Sequence, residues 1–278
     1  MKCVAVTGAS GFVGGHLIQT FAGAGWRIDA LARRETPALA RMGITVRPYG
    51  LEAPAVPDLS GVDVLIHCAY GGRGADISAA KRLFEQARRS GVASIVFVSS
   101  LLASETGSSR YAKEKFAIET MLDPARDIVL RPGLIIGGGG LFEAMTRSIS
   151  RFPVAPLTEG ERPVYTIAID DLTAATFDII SEGAAGVYLL AASRPTTLRA
   201  LYGEIGRRAG KRVTIVSLPY SALLATALIA ERLGLHVPVT AENLRGLRNL
   251  RTFEIPEYPI VKRRFRSLHE DGLTCSTH

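Results

Sequence analysis

Apolar positions in this chain first gather into short, unbroken β-branched runs. Val4–Thr7, Ile28–Ala32, Ile44–Arg47, Val62–His67, Ser94–Ser99 and Ile128–Arg131 are mostly continuous rather than alternating. That is the pattern of strands covered on both faces of a parallel sheet. Between them, Phe12–Ala24, Asp76–Ser90 and Arg110–Leu122 space their apolar residues at helical intervals. Regular alternation of strand and helix predicts an α/β protein with a doubly wound parallel sheet.

The texture changes after Arg131. Pro132-Gly133 stops the last strand, Gly137–Gly140 reads as a flexible turn, and Pro153, Pro156 and Pro163 punctuate a loop-rich stretch. Asp170–Ser181 then predicts a helix returning to the sheet, and Gly186–Leu190 a further strand. Leu198–Ala209, Tyr220–Leu233 and Ala241–Leu250 read as helices, followed by a basic, loop-like tail. No internal repeat is visible.

Composition narrows the class. Apolar residues make up 47% and charged residues 21% of the 278, a mixture expected of a globular protein. The apolar stretch Ala222–Ala230 is far shorter than the ~20 residues of a membrane span. It reads as a packed helix, with a surface-embedded helix as the alternative. The N-terminus enters a strand at once with no leader pattern, and Cys3, Cys68 and Cys275 lie far apart, outside any metal-ligand spacing. Cys3 and Cys68 sit in apolar runs as small core residues. A cytoplasmic location is expected, with no metal. The formal charge is +7, much of it late in the chain, as in Arg207, Arg208, Lys211, Arg212 and Lys262, Arg263, Arg264, Arg266. These clusters have no interleaved aromatics, so no nucleic-acid partner is expected; attraction of an anionic cofactor or substrate fits better.

The strongest local signal is Thr7-Gly8-Ala9-Ser10-Gly11-Phe12-Val13-Gly14, which follows a strand and opens a helix. Gly8 can turn the chain sharply, Gly11 leaves room for a pyrophosphate, and Gly14 lets the helix pack closely on the sheet. The helix N-terminus then offers free N–H groups to a diphosphate. Gly8, Ser10, Gly11, Phe12, Val13 and Gly14 are therefore candidate cofactor contacts in a Rossmann fold. On this reading residues 1–135 form a dinucleotide-binding core, completed by about 166–190. Residues 136–165 and 191–278 form a smaller C-terminal substrate lobe. At the end of the second strand Ala32 stands where an acid would hold a ribose 2′-hydroxyl, and Arg33 and Arg34 follow. Guanidinium forks match a 2′-phosphate, which favours NADP over NAD. Asp29 lies too early in the strand for the ribose.

Tyr111 and Lys115 are four residues apart, on one helix face. An ammonium beside a phenol stabilises the phenolate and so suits general acid/base work. The pair follows Val96–Ser100, a strand whose C-terminal end supplies hydroxyls where ligands of such sheets bind.

With these residues the chain resembles the short-chain dehydrogenases/reductases of the extended or atypical type, the NAD-dependent epimerase/dehydratase family. The resemblance is carried by TGASGFVG at 7–14, DVLIHCA at 63–69, VFVSS at 96–100, YAKEK at 111–115, LRPGLIIG at 130–137 and IDDL at 169–172. It implies Tyr111 as the general acid/base, Lys115 as its tuner and a ribose contact, and Ser100, rather than Ser99, as the hydroxyl that orients substrate oxygen. It also implies that the Pro132-Gly133-Leu134 backbone lies beside the nicotinamide and that His67, Cys68 and Ala69 line the central part of the cofactor through backbone contacts, with His67 a strand-end residue rather than a catalyst. Asp76 stands loosely where an Asn of the proton relay is often found, and Leu101-Leu102 stands where dehydratases carry an additional acid and base. That counts against dehydration. An NAD(P)-dependent oxidoreductase acting on a small carbonyl or alcohol substrate is the first reading. A nucleotide-sugar epimerase using the same residues, or a non-catalytic NADP(H)-binding sensor, are the alternatives. A homodimer through Asp76–Ser90 and Arg110–Leu122 is left open by their polar faces.

Overall fold

The continuous apolar runs pair side by side in the computed structural model, which describes residues 1–72, 74–235 and 239–268. In chain order the first half contains β1 (Cys3–Thr7), α1 (Phe12–Gly23), β2 (Arg27–Ala32), α2 (Pro37–Arg41), β3 (Val46–Pro48), β4 (Val64–His67), α3 (Asp76–Arg89), β5 (Ser94–Val98), α4 (Arg110–Glu119) and β6 (Ile128–Pro132). There follow β7 (Leu134–Ile136), α5 (Gly140–Arg151), β8 (Val154–Leu157), β9 (Pro163–Val164), β10 (Thr166–Ala168), α6 (Ile169–Ser181), β11 (Gly186–Leu190), β12 (Thr196–Thr197), α7 (Leu198–Arg208), β13 (Thr214–Ser217), α8 (Tyr220–Arg232) and α9 (Ala241–Leu247).

Seven strands form one sheet in the order β11-β6-β5-β4-β1-β2-β3, with every neighbouring pair parallel. This is a Rossmann-like α/β architecture. Alternate side chains of β1 explain why its run is unbroken. Val4 and Val6 join the core beneath α1 and α6, with Leu17, Ile18, Leu172 and Ile179. Cys3 and Ala5 point to the other face, with Leu83, Phe84 and Ile118 of α3 and α4. Both faces are covered, so both sets must be apolar. Cys3 is buried, Cys68 is half-buried, and Cys275 lies outside the described residues.

A smaller core sits beyond the C-terminal ends of the strands. Phe142 and Ile149 of α5, Leu157 of β8, and Leu198, Leu201 and Ile205 of α7 pack together there. Short pairs β7–β10, β9–β12 and β8–β13 frame it.

Three sequence expectations are corrected here. The loop-rich stretch around Pro153, Pro156 and Pro163 holds β8 and β9, and before it α5 occupies Gly140–Arg151 and buries Phe142 and Ile149. The four glycines conceal its start, because they weaken any helical pattern. Nor is Gly137–Gly140 a mere flexible turn. A Cβ on Gly139 would lie 2.3 Å from Cγ of Phe12, and one on Gly137 would lie 2.7 Å from its Cζ. The tract is the seat of the Phe12 ring, tying α1 to the entrance of α5. The third strand is also shifted, to Val46–Pro48, since Ile44 instead closes the α2 turn with its N–H on the carbonyl of Leu39.

Candidate active site

The turn after β1 is built by close backbone packing. Gly8 has φ of +67°, and its carbonyl accepts the N–H of Gly11 at 2.8 Å. A Cβ on Gly14 would lie 2.2 Å from that same carbonyl oxygen, so α1 can approach the turn only without one. The α1 N-cap is Gly11, which offers no side chain to the first-turn N–H groups. Gly8, Ser10, Gly11, Phe12, Val13 and Gly14 all line one cavity of about 970 Å³. A backbone cradle with free donors at a helix N-terminus fits a diphosphate.

Around the same cavity the fold gathers Arg33, Cys68, Ala69, Ser100, Tyr111, Pro132, Gly133 and Leu134. Arg34 and His67 do not reach it. Arg34 is exposed and lies outside the cavity lining. His67 is fully buried, its ring stacked on Phe97 at 5.6 Å and its Nδ1 2.7 Å from the Thr7 hydroxyl. The strand pleat turns it into the core while Cys68 and Ala69 face the cavity. Asp29 is held in an ion pair with Arg47 at 2.6 Å, away from the cavity lining.

Burial pushes the His67 imidazole down to about 3, with charged Lys115 adding to the effect. The folded value is then below the unfolded one, so the unfolded chain binds the extra proton. This contribution to stability is present above about pH 6.5 and is lost as pH falls toward 3. Urea titrations at pH 7 and 4.5 are expected to show a larger acid loss in the wild type than in His67→Gln, by roughly 2–3 kcal/mol. An equal loss in both would assign acid lability elsewhere.

Tyr111 is half-buried in the first turn of α4. Its ring meets Tyr70 edge-on at 5.0 Å. Burial raises its pKa, and a hydrogen bond with the Ser100 side chain works against that rise. Lys115 lies beneath, fully enclosed rather than on the cavity wall. Its Nζ donates to the Val98 carbonyl at 2.7 Å and sits 4.6 Å from the Phe97 ring centroid and 5.7 Å from that of Tyr111. Burial lowers its pKa to about 8. Ser99, by contrast, donates to the Glu119 carboxylate, which is also clamped by Arg131 with Nε at 3.0 Å. Both serines line the cavity, but with the Ser99 hydroxyl engaged by Glu119 the one beside Tyr111 is that of Ser100. The Cys68 thiol donates to the Thr7 carbonyl at 2.9 Å, and burial pushes its pKa up to about 12, so it is a poor nucleophile. Asp76 holds the 71–72 backbone, accepting from the N–H groups of Gly71 at 2.6 Å and Gly72 at 3.0 Å.

The start of α4 carries two partners that no local pattern announces. Glu242 of α9 accepts the Tyr111 N–H at 2.9 Å. Asn249 accepts the Ser108 N–H at 2.8 Å and donates to the hydroxyl of Ser109 at 3.2 Å. Ser109 is itself the α4 cap, accepting from the Ala112 N–H. Thus the C-terminal region fixes the turn that carries Tyr111. A signal existed in principle, since polar Glu242 and Asn249 flank apolar Leu244 and Leu247, but their partners lie some 130 to 140 residues away.

Away from the glycine turn the cavity wall is largely apolar, with Leu101, Met145, Leu157, Leu201, Leu247 and Phe253, and Thr158, Tyr202, Glu242 and Asn243 are among its polar members.

Residues 8–127 match the family model described as NAD(P)H-binding. The ceramide reductase of Caulobacter vibrioides (strain NA1000 / CB15N) is 34% identical over 191 residues. The match covers 62% of this chain, and the chain spans 58% of that relative's length. Among solved structures, the NADPH-dependent quinone oxidoreductase of Escherichia coli complexed with NADPH superimposes with a TM-score of 0.73 at 22% identity, covering 95% of this chain and 96% of that one. UDP-glucose 4-epimerase of Thermotoga maritima, with UDP-glucose, gives a TM-score of 0.64 at 17% identity, covering 89% of this chain and 97% of that one. Fold and matched domain together define an NAD(P)H-binding Rossmann protein. The extended short-chain dehydrogenase/reductase resemblance of the sequence thus meets an NAD(P)H-binding domain over residues 8–127 and neighbours of the same fold. Among the described residues, no helix is long and apolar enough to cross a membrane.

Proposed function

We propose that this chain is an NADPH-preferring oxidoreductase that reduces the carbonyl, or oxidises the alcohol, of a largely apolar substrate. The observation that carries the reading is the position of Tyr111. Tyr111 lines the same cavity as the glycine turn and the apolar side chains, with the Ser100 side chain hydrogen-bonded to it and the Lys115 ammonium 5.7 Å from its ring centroid.

When bound, the nicotinamide supplies or accepts the hydride. The chain's own residues do the rest. Ser100 orients the substrate oxygen, and the Tyr111 hydroxyl gives that oxygen a proton as the carbonyl is reduced. Positively charged Lys115 stabilises the phenolate left behind. With Lys115 titrating near 8, reduction is expected to decline above about pH 8, as the ammonium is lost and phenolate formation loses its support. A pH profile of kcat that stays flat from 7 to 9.5 would remove Lys115 from this role.

Arg33 lines the cavity beyond β2, and Asp29 is occupied by Arg47, an arrangement that supports a 2′-phosphate over a free 2′-hydroxyl. Loss of a charge-assisted bond to phosphate is worth about 1.5–3 kcal/mol, or roughly 10–100-fold. Arg33→Ala is therefore expected to weaken NADPH by that factor and leave NADH nearly unchanged, as read by fluorescence titration. Equal effects on both cofactors would refute the 2′-phosphate assignment.

The apolar wall and the ceramide-reductase relative support a lipid-like substrate over a sugar nucleotide, whose diphosphate and hydroxyls need polar partners. The test is NADPH oxidation with long-chain ketones set against interconversion of UDP-sugars, read by product analysis because an epimerase regenerates its cofactor in each cycle. Turnover with UDP-sugars alone would reverse the choice toward the epimerase reading.

A further inference from the structure

Helix α8 is apolar nearly all round, yet among the described residues only one of its faces is covered. Leu223 and Ala227 pack against Ala241 and Leu244 of α9. The opposite side and the turn after it leave Leu228 41%, Ile229 60%, Leu233 69% and Leu235 58% exposed. Four neighbouring large aliphatic side chains in water call for an occupant. We propose that this face seats on the surface of an anionic lipid bilayer.

Three observations select that occupant. The first is charge. The stretch that holds the helices of this surface, residues 220–251, carries four arginines, Arg232, Arg245, Arg248 and Arg251, against two carboxylates, Glu231 and Glu242, a net charge of +2. Arg232 stands within the exposed face itself, between Ile229 and Leu233, and the neighbouring Glu231 is engaged by the Ala241 N–H at 2.8 Å. A second copy of the chain would bring like charge against like, whereas anionic headgroups attract each such cation by about 1 kcal/mol near the surface. The second is length. At 13 residues α8 spans about 20 Å, too short to cross a bilayer but suited to lying in its interface. The third is position. α8 packs directly on α9, and Glu242, Asn243 and Leu247 of α9 line the cavity. A bilayer-seated α8 puts the cavity wall one helix away from the lipid. What this surface serves rests on the reading of an apolar substrate, which would enter from the membrane rather than through water. The surface itself rests only on exposure and charge.

The test is co-sedimentation of the full chain with phosphatidylcholine vesicles, with and without phosphatidylglycerol, at low and high salt. The wild type is expected to pellet with the anionic vesicles and to be released by salt. Ile229→Asp combined with Leu233→Asp is expected to weaken binding by at least about 10-fold, given the transfer free energy of two aliphatic side chains. Both positions are exposed and outside the cavity, so NADPH affinity and turnover of a water-soluble ketone should be unchanged in the variant. No pelleting of the wild type with anionic vesicles, or equal pelleting of wild type and variant, would overturn the proposal. So would a dimer, seen by light scattering, that the two substitutions split while neither protein binds vesicles. Vesicle binding without reduction of any lipid ketone would sink the substrate reading and leave the surface standing. Turnover without vesicle binding would do the reverse.

Discussion

Tyr111→Phe is expected to lower NADPH-dependent carbonyl reduction by about 10²–10⁴-fold, the usual contribution of a positioned general acid, while cofactor affinity stays nearly unchanged. The substitution removes one oxygen and little else. The Phe ring can keep the edge contact with Tyr70, and the main-chain N–H of residue 111 still donates to Glu242. Lys115 remains bonded to the Val98 carbonyl. A fall in kcat without a fall in NADPH binding therefore isolates the proton step. Measurement of kcat by NADPH absorbance and of affinity by fluorescence decides it, and unchanged turnover would end the assignment of Tyr111 as acid/base. Glu242→Gln provides a milder companion. The amide can still accept the Tyr111 N–H, so it should retain most activity, whereas Glu242→Ala removes that bond and should lower kcat more than it changes KM.

The second large effect concerns the cradle. Gly14→Ala would put a Cβ 2.2 Å from the Gly8 carbonyl oxygen and 2.8 Å from its carbon. Both are backbone atoms, so neither can swing aside. Either α1 moves off the sheet or the turn opens, and each spoils the phosphate cradle. Overpacking of this kind costs about 1–3 kcal/mol, and each kcal/mol lowers Tm by roughly 2–4 °C in a chain of this size. NADPH binding should be lost with it. Gly15→Ala is the control, because its Cβ would approach nothing nearer than 3.8 Å. There the helix should hold or gain slightly. If Gly14→Ala binds NADPH as the wild type does, the turn is not the cradle.

Much of this site is legible along the chain because its key parts are local. The glycine turn occupies eight consecutive residues, and Tyr111 and Lys115 are one helical turn apart. Such spacing depends only on strand and helix geometry. Two placements could not be read that way. His67 and Cys68 are adjacent in an apolar run, yet one is enclosed by Phe84 and Phe97 and the other faces the cavity. Which faces which way depends on where β4 ends and on what packs against it. Similarly, the adjacent hydroxyls Ser99 and Ser100 part company because the Glu119–Arg131 pair captures the first.

The sequence by itself determined the parallel sheet, through strands made apolar on both faces, and the glycine turn with its NAD(P) consequence. Both follow from the order of neighbouring residues. Only the tertiary structure decided that Glu242 and Asn249 hold the turn bearing Tyr111, that Gly137–Gly140 receives the Phe12 ring, and that the cavity wall is largely apolar. Those contacts join segments distant along the chain. Their partners are set by how the helices pack over the sheet, which no local periodicity encodes.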